Sequence, residues 1–139
     1  MGYTHYFRNA KATPEVVADA HKIIGATTVE LAGWNGEGEP VVNNEDGISL
    51  NGSEARGEAH EDFTIGLQPE FFGFCKTGGD DVPYDEVVTA ILVSVHMNRA
   101  GEISSDGTFE EWSKGIALYE KAVRPLSLVE SDSLRTLLD

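Results

Sequence analysis

The chain has 139 residues, 40% of them hydrophobic, and a net charge of −14 that comes from 24 acidic and 10 basic residues. This length suffices for one domain with its own core, and the composition is typical of a globular chain rather than a disordered one. The acidic balance argues against binding of duplex nucleic acid through its phosphates, because such binding depends on clustered Lys and Arg.

The first third of the chain predicts a strand, a helix and a second strand. Aromatic and polar residues alternate over Tyr3–Arg8, a pattern typical of a strand. We expect a helix next, with Thr13 as its N-cap, Pro14 at its first position and Gly25 at its end. The segment TVELAGW, residues 28–34, predicts another strand, and GWNGEGEP is interpreted as a turn because it lacks the Lys-Ser/Thr of a phosphate loop.

Three short strands separated by turns are expected in the middle of the chain. The first is Ile48–Leu50, and the second turns Phe63, Ile65 and Leu67 inward. The third, FFGFCKT, places Phe72, Phe74 and Lys76 on one face and Gly73, Cys75 and Thr77 on the other.

The last part of the chain predicts a long apolar helix that begins near Asp80 or Asp81 and ends at Gly101. A short strand in EISSDG precedes a third helix, which a capping box of Thr108 and Glu111 begins. The final residues predict only a marginal turn whose leucines dock on the core or dimerise: Leu134, Leu137 and Leu138.

Consecutive strands joined by turns favour antiparallel pairing, with the helices gathered on one side. The predicted fold class is therefore α+β, with two layers: a mainly antiparallel sheet of about five strands, and two to three helices packed on one face. We expect a single domain over residues 1–139, in which 126–139 form a docking or dimerising tail.

The composition also bears on compartment and cofactors. One cysteine, Cys75, cannot form an internal disulfide, which fits a reducing compartment. No apolar run approaches the roughly 20 residues of a membrane helix, and we see no secretory signal. The four histidines are dispersed and no loop has a calcium-binding spacing. We expect a cytoplasmic protein with no membrane association, no metal and no cofactor.

The first candidate site lies on the first strand, where His5 stands between Tyr3 and Phe7 on one face. Histidine titrates near neutral pH, and flanking aromatic rings offer stacking surface to a base or a sugar. The alternative is a half-buried structural histidine satisfied by backbone groups.

The second candidate site lies where Lys76 and Thr77 end a strand ahead of the long helix. Backbone N–H groups at a helix N-terminus favour anions, and Tyr84 in the first turn lies within reach of the same space. Cys75 is expected on the opposite face as a buried structural residue. The alternative for Lys76 is an ion pair with a nearby acid: Asp80, Asp81 or Asp85.

The third candidate site is the segment ISSDG, where Ser104, Ser105 and Asp106 offer hydroxyls and a carboxylate in a tight turn. Such groups suit ribose hydroxyls, a phosphate or a metal, and the alternative is turn chemistry alone. A triad of Ser104, His5 and Asp106 has no nucleophile elbow to support it.

Three segments carry a resemblance to a known family: the start MGYTHYF, the pair FCKT and PYDEVV, and SSDG ahead of Trp112. Together they resemble a family of small uncharacterised proteins of bacteriophages and bacteria whose members begin MGYTHYW. Phe7 stands where that family has tryptophan, and the spacer GGDDV is acidic where related chains are more basic. The resemblance implies no established activity. It implies that the three clusters form one recurring pattern, and it suggests a setting of phage counter-defence in the host cytoplasm.

The resulting hypothesis is a ligand-binding protein that holds a small anionic, nucleotide-like molecule in one pocket and sequesters a host defence signal. One alternative is an enzyme that acts on a phosphorylated or nucleotide substrate, with His5 or Asp106 as general base. Another is an acidic protein-binding inhibitor or nucleic-acid mimic, and a virion component is a fourth. A homodimer is expected. The predicted ligand-binding residues are Tyr3, His5, Lys76, Thr77, Tyr84, Ser104, Ser105 and Asp106.

Overall fold

The structure, a computed structural model, describes residues 3–77 and 82–139 and has the predicted α+β class. Seven strands and four helices lie within these ranges. Their order is β1 Thr4–Arg8, α1 Pro14–Ala26, β2 Leu31–Ala32, β3 Val41–Asn43, β4 Gly47–Gly52, β5 Phe63–Ile65, β6 Gly73–Lys76, α2 Asp85–Met97, β7 Glu102–Ser105, α3 Ser113–Ala122 and α4 Leu128–Leu138. None of these helices has the length and apolar character needed to span a membrane.

The strands form two antiparallel sheets rather than one sheet of about five strands. The first sheet has the order β6-β1-β7, so that His5 in the central strand lies opposite both Cys75 and Ser105. In the second sheet β4 pairs with β2, β3 and β5. The first strand therefore pairs with strands remote in sequence and not with its neighbours along the chain, which local patterns do not indicate. Leu67, predicted to point inward, is exposed because β5 ends at Ile65.

Helix α1 begins as the sequence predicts. The Thr13 hydroxyl accepts a hydrogen bond from the backbone N–H of Val16 at 3.2 Å, and Pro14 is the first helical residue. The helix runs through Gly25 to Ala26 rather than ending at Gly25. Its buried stripe packs against the other helices: Val16, Val17, Ala20 and Ile23.

Helix α2 is the centre of the core, and every residue from Val87 to Val95 is buried. Helices α1 and α3 both pack against it. Gly115 of α3 lies directly on Thr89, so that a Cβ at this position would collide with the threonine side chain. The predicted capping residues of α2, Asp80 and Asp81, lie outside the described residues.

The C-terminal end of α2 differs from the prediction. The helix ends at Met97, and Arg99 adopts the left-handed conformation (φ 54°) that a helix end commonly gives to glycine. For a residue with a Cβ this conformation costs roughly 1–2 kcal/mol. Gly101, predicted to end the helix, instead packs tightly, since a Cβ there would lie 2.7 Å from the Ala10 Cβ.

The C-terminal segment forms a full helix, α4, where the sequence analysis expected a marginal turn. A capping box starts it: Glu130 N–H donates to the Ser127 hydroxyl at 3.1 Å, and Ser127 N–H donates to the Glu130 carboxylate at 2.9 Å. The guanidinium of Arg124 makes two further bonds to that carboxylate, both of 2.9 Å. Leu134 and Leu138 are buried, so the segment docks on the core.

The Glu130 carboxylate predicts how the stability of α4 depends on pH. Hydrogen bonds from Arg124 lower the pKa of Glu130 from 4.5 to about 2. A carboxyl with a lowered pKa in the folded state stabilises the fold above its unfolded pKa and loses that contribution as the pH falls. We therefore expect the difference in unfolding free energy between wild type and Glu130→Gln to shrink steadily as the pH falls from 4.5 to about 2. Urea titrations across this range measure it, and a constant difference would contradict the assigned role of the carboxylate.

Candidate functional site

A chain of buried hydrogen bonds crosses the inner face of the first sheet. The imidazole of His5 has no exposed surface. Its Nδ1 lies 2.7 Å from the Ser105 Oγ on strand β7, and its Nε2 lies 2.7 Å from the Asp85 Oδ1 at the start of α2. The residue that the sequence analysis placed at the centre of a site is thus bonded on both sides by side chains 80 and 100 residues away.

Counting donors and acceptors fixes the direction of these bonds. The Ser105 hydroxyl accepts from the backbone N–H of Gly107 at 2.8 Å and from the indole N–H of Trp112 at 3.2 Å. These two N–H groups occupy both lone pairs of the Ser105 Oγ, so the Ser105 hydroxyl donates its own proton to Nδ1 of His5. The Nε2–H of His5 therefore donates to Asp85, whose Oδ1 also accepts the Thr77 hydroxyl at 2.6 Å.

Aromatic rings close the remaining sides of the imidazole. The Trp112 ring meets it edge-on with the centroids 5.2 Å apart, and the Tyr3 ring does so at 5.5 Å. An imidazole with both nitrogens bonded and no exposed surface has no position left for a ligand. The His5 network, as we call His5, Thr77, Asp85, Ser105 and Trp112, is a structural element that joins the first sheet to α2 and to the start of α3.

The structure divides the eight predicted ligand-binding residues among three places. His5, Thr77 and Ser105 belong to the His5 network, and Tyr3 packs on it. Tyr84 is buried beneath the sheet, where its hydroxyl donates to the backbone carbonyl of Glu61 at 2.7 Å and burial raises its pKa. The other three lie exposed on the opposite, outer side of the sheet: Lys76, Ser104 and Asp106.

Cys75 occupies the position expected of a structural cysteine. It is fully buried, and its thiol donates to the Glu61 carbonyl at 3.4 Å. Burial raises the pKa of this thiol from 9.0 to about 12, so almost no thiolate is present near neutral pH. Since the thiolate is the nucleophilic form, we expect Cys75 to be unreactive in the folded protein.

A cleft of about 1170 Å³ lies between strands β1 and β7 on one side and helix α4 on the other. Three cationic side chains line it: Arg8 at the end of β1, Lys11 in the following loop and Arg99 after α2. We call this the basic cleft. Sequence analysis missed it because the three cations belong to no motif, and Arg99 is brought to the others only by tertiary folding.

The cations of the basic cleft form no ion pair with an acid of the described residues, although Glu102 lies opposite Arg8 in the register of β1 and β7. Within residues 3–77 and 82–139, no carboxylate lies within 4 Å of the charged groups of Arg8, Lys11 or Arg99. The Arg8 guanidinium instead lies over the rings of Phe71 and Phe72, at 5.8 and 5.4 Å from their centroids. Cation–π contact positions the guanidinium and leaves its N–H donors available.

The rest of the cleft lining is a mixture of apolar, polar and acidic residues, and it includes Ser104, one of the predicted ligand-binding residues. Met97, Ile103 and Leu137 contribute apolar surface. The acids Glu102 and Glu130 also line the cleft, but Arg124 already pairs with Glu130. His96 lies at the wall, where burial lowers its pKa below the usual 6.5 and its Nε2 lies 3.3 Å from the Ser133 hydroxyl.

Comparison of the chain with protein-family models, curated proteins and solved structures finds no match. Among the described residues, no three His, Cys, Asp or Glu side chains are grouped so as to hold a metal ion. The functional evidence therefore consists of the geometry and electrostatics of the chain itself.

The His5 network predicts that alanine substitutions at two adjacent serines lower the unfolding free energy by very different amounts. Ser105→Ala removes the partner of His5 Nδ1 and of two N–H donors, so we expect a loss of about 2–3 kcal/mol in unfolding free energy. Ser104→Ala, on the exposed face, is expected to change it by less than about 0.5 kcal/mol. Urea denaturation measures both values, and similar small effects would show that the network does not contribute to stability.

The assignment of Cys75 as structural predicts protection from thiol chemistry. A disulfide-exchange reagent is expected to modify the native protein no faster than the protein unfolds, because both burial and the raised pKa suppress the thiolate. Lys76→Cys combined with Cys75→Ser provides the control, since it places the only thiol at the adjacent exposed position. Rapid modification of native wild type would contradict the assignment.

Proposed function

We propose that the protein binds a small anionic ligand in the basic cleft. The observation that carries this proposal is the convergence of Arg8, Lys11 and Arg99 on one cavity with no carboxylate among the described residues within 4 Å of their charged groups. Three of the 10 basic residues of an acidic chain are thus gathered at one place and left available.

The distribution of charge favours the basic cleft over the rest of the surface as the place where an anion binds. With a net charge of −14, most of the protein repels an anion. The cleft offers three cations against Glu102 and the already paired Glu130. A charge-assisted hydrogen bond contributes about 1.5–3 kcal/mol, so three of them contribute about 4.5–9 kcal/mol, the range of millimolar to micromolar binding of a small molecule.

The cleft also limits the kind of anion. Its volume of about 1170 Å³ exceeds what an inorganic ion needs and fits a small organic molecule. The apolar surface of Met97, Ile103 and Leu137 lies on the same cavity as the cations. A ligand with one anionic end and one apolar or aromatic end, such as a nucleotide, would contact both.

The backbone at the cleft provides further support. Arg99 and Asn9 both line the cleft and both adopt positive φ, at 54° and 50°. Strained backbone in folded proteins is concentrated at binding sites and active sites. At Arg99 glycine would fit the backbone better, and the presence of arginine there supports a role for its side chain in the cleft.

Binding without chemical change is the simpler activity for this chain. The imidazole of His5 is enclosed and its nitrogens are bonded, and the thiol of Cys75 is buried and protonated. Neither group can act on a ligand in the cleft. Sequestration of a nucleotide signal, the role suggested by the phage-family resemblance, requires only such a binder.

Replacement of Arg99 separates affinity from stability. We expect Arg99→Gly to weaken binding of adenosine 5′-monophosphate about tenfold, the effect of about 1.4 kcal/mol. The same change should stabilise the fold by about 1 kcal/mol, because glycine tolerates the left-handed backbone. Isothermal calorimetry and thermal unfolding measure the two effects, and uncharged adenosine should bind more weakly than the monophosphate.

Two variants serve as matched controls. Asn35 has φ 58° in an exposed turn away from the cleft, so Asn35→Gly should stabilise the protein without changing affinity. Lys76→Gln removes the cation that the sequence analysis favoured and should leave binding intact. If Lys76→Gln abolishes nucleotide binding while Arg99→Gly and Lys11→Gln bind as wild type does, the basic cleft is not the site.

A further inference from the structure

One histidine lies on the basic cleft together with its three cations. His96 is in the last turn of α2, and its side chain is half-buried at the wall of the cleft. The other three histidines lie elsewhere, since His5 is enclosed in the His5 network and His21 and His60 are exposed outside the cleft. Burial lowers the pKa of His96 below the usual 6.5, so near neutral pH its ring is mostly uncharged.

The charges that surround His96 favour an anion in the cleft. The cleft and a smaller hollow of about 420 Å³ beside α4 place three cations and three acids around the imidazole: Arg8, Lys11, Arg99, Glu102, Glu130 and Asp132. Arg124 already pairs with Glu130, and Asp132 lines only the smaller hollow. Asp19 of α1 accepts hydrogen bonds from Ser94 and Asn98 on α2. Positive charge therefore predominates in the cleft itself.

The hydrogen bond of His96 is compatible with both protonation states. Its Nε2 lies 3.3 Å from the Ser133 Oγ on α4, and that hydroxyl makes no other hydrogen bond within the described residues. A serine hydroxyl donates to an unprotonated ring nitrogen and accepts from a protonated one, so this bond persists when the ring takes a proton. The Nδ1 of His96 has no partner within residues 3–77 and 82–139, so the imidazolium has an N–H there that is available to a ligand.

The environment of His5 differs in this respect. The Ser105 hydroxyl donates to Nδ1 of His5, and its two lone pairs accept from Gly107 and Trp112. A proton on Nδ1 of His5 would therefore face an oxygen with no free lone pair, and the bond would be lost. His96 is the histidine whose surroundings accommodate a second proton without such a loss.

We propose that anion binding in the basic cleft is coupled to the uptake of a proton by His96. The inference rests on the anion binding proposed above and adds its regulation. A bound anion brings an opposite charge into the cavity and offsets the three cations, and both effects favour the imidazolium. Linkage makes the coupling reciprocal, so protonated His96 strengthens binding of the anion by the same factor. The affinity of the cleft then rises as the pH falls through neutrality, and the ligand is released as the pH rises.

The ratio of two dissociation constants isolates the contribution of His96. Isothermal calorimetry measures binding of adenosine 5′-monophosphate to wild type and to His96→Gln between about pH 8 and pH 6. The phosphate of the ligand titrates near pH 6 in both experiments, and the ratio cancels this shared contribution. We expect wild type to gain about tenfold in affinity over His96→Gln across this range. His60→Gln removes an exposed histidine that does not line the cleft and should follow wild type.

Nuclear magnetic resonance gives a second readout on the unaltered protein. The Cε1–H resonance of His96, assigned by its disappearance in His96→Gln, is expected to titrate with a midpoint at higher pH when the protein is saturated with the monophosphate. An unchanged midpoint in a protein that binds the monophosphate would overturn the coupling and leave the proposed function standing. Failure of wild type to bind the monophosphate at any pH would overturn the proposed function and this inference with it.

Discussion

The imidazole of His5 is bonded on one side to strand β7 and on the other to the first residue of α2, and the position of the first sheet on the central helix depends on these two bonds. A buried polar group that loses its hydrogen-bond partner costs about 1–3 kcal/mol. The network contains several buried polar groups, and each has a partner in the folded structure. They are all satisfied only when β1, β7 and α2 hold one relative position. A packed apolar core tolerates small shifts more readily than such a network does, so the network is the feature that specifies the arrangement.

The same bonds determine the chemistry of the outer surface. Strand residues alternate between the two faces, so fixing His5 and Ser105 inward places Tyr6 and Ser104 outward. If β1 shifted by one residue in its pairing with β6 and β7, every side chain of β1 would move to the opposite face of the sheet, and Arg8 would be buried. The placement of Arg8 at the basic cleft is therefore a consequence of the buried network, even though the cleft does not contain His5.

Local patterns predicted the parts of this structure that depend on neighbours in sequence. The alternation over FFGFCKT correctly placed Phe74 and Cys75 on opposite faces, and the Thr13 cap was predicted from its residue type and the proline that follows it. The pairing of β1 with β6 and β7 was not predictable, because nothing local links residue 5 to residues 75 and 105. Asp85 was considered as an ion-pair partner of Lys76, and its role as the partner of His5 appears only in three dimensions. The SLVE capping box that starts α4 was a signal in the sequence that went unused.

Helix α4 forms one wall of the basic cleft through Val129, Glu130, Ser133 and Leu137. An anion bound in the cleft would therefore contact the last helix of the chain as well as strands β1 and β7. A ligand that binds only when these elements are packed together stabilises the packed arrangement by mass action. Occupancy of the cleft would then hold the C-terminal segment against the sheet, and a chain that has lost its ligand would expose that segment to proteases first.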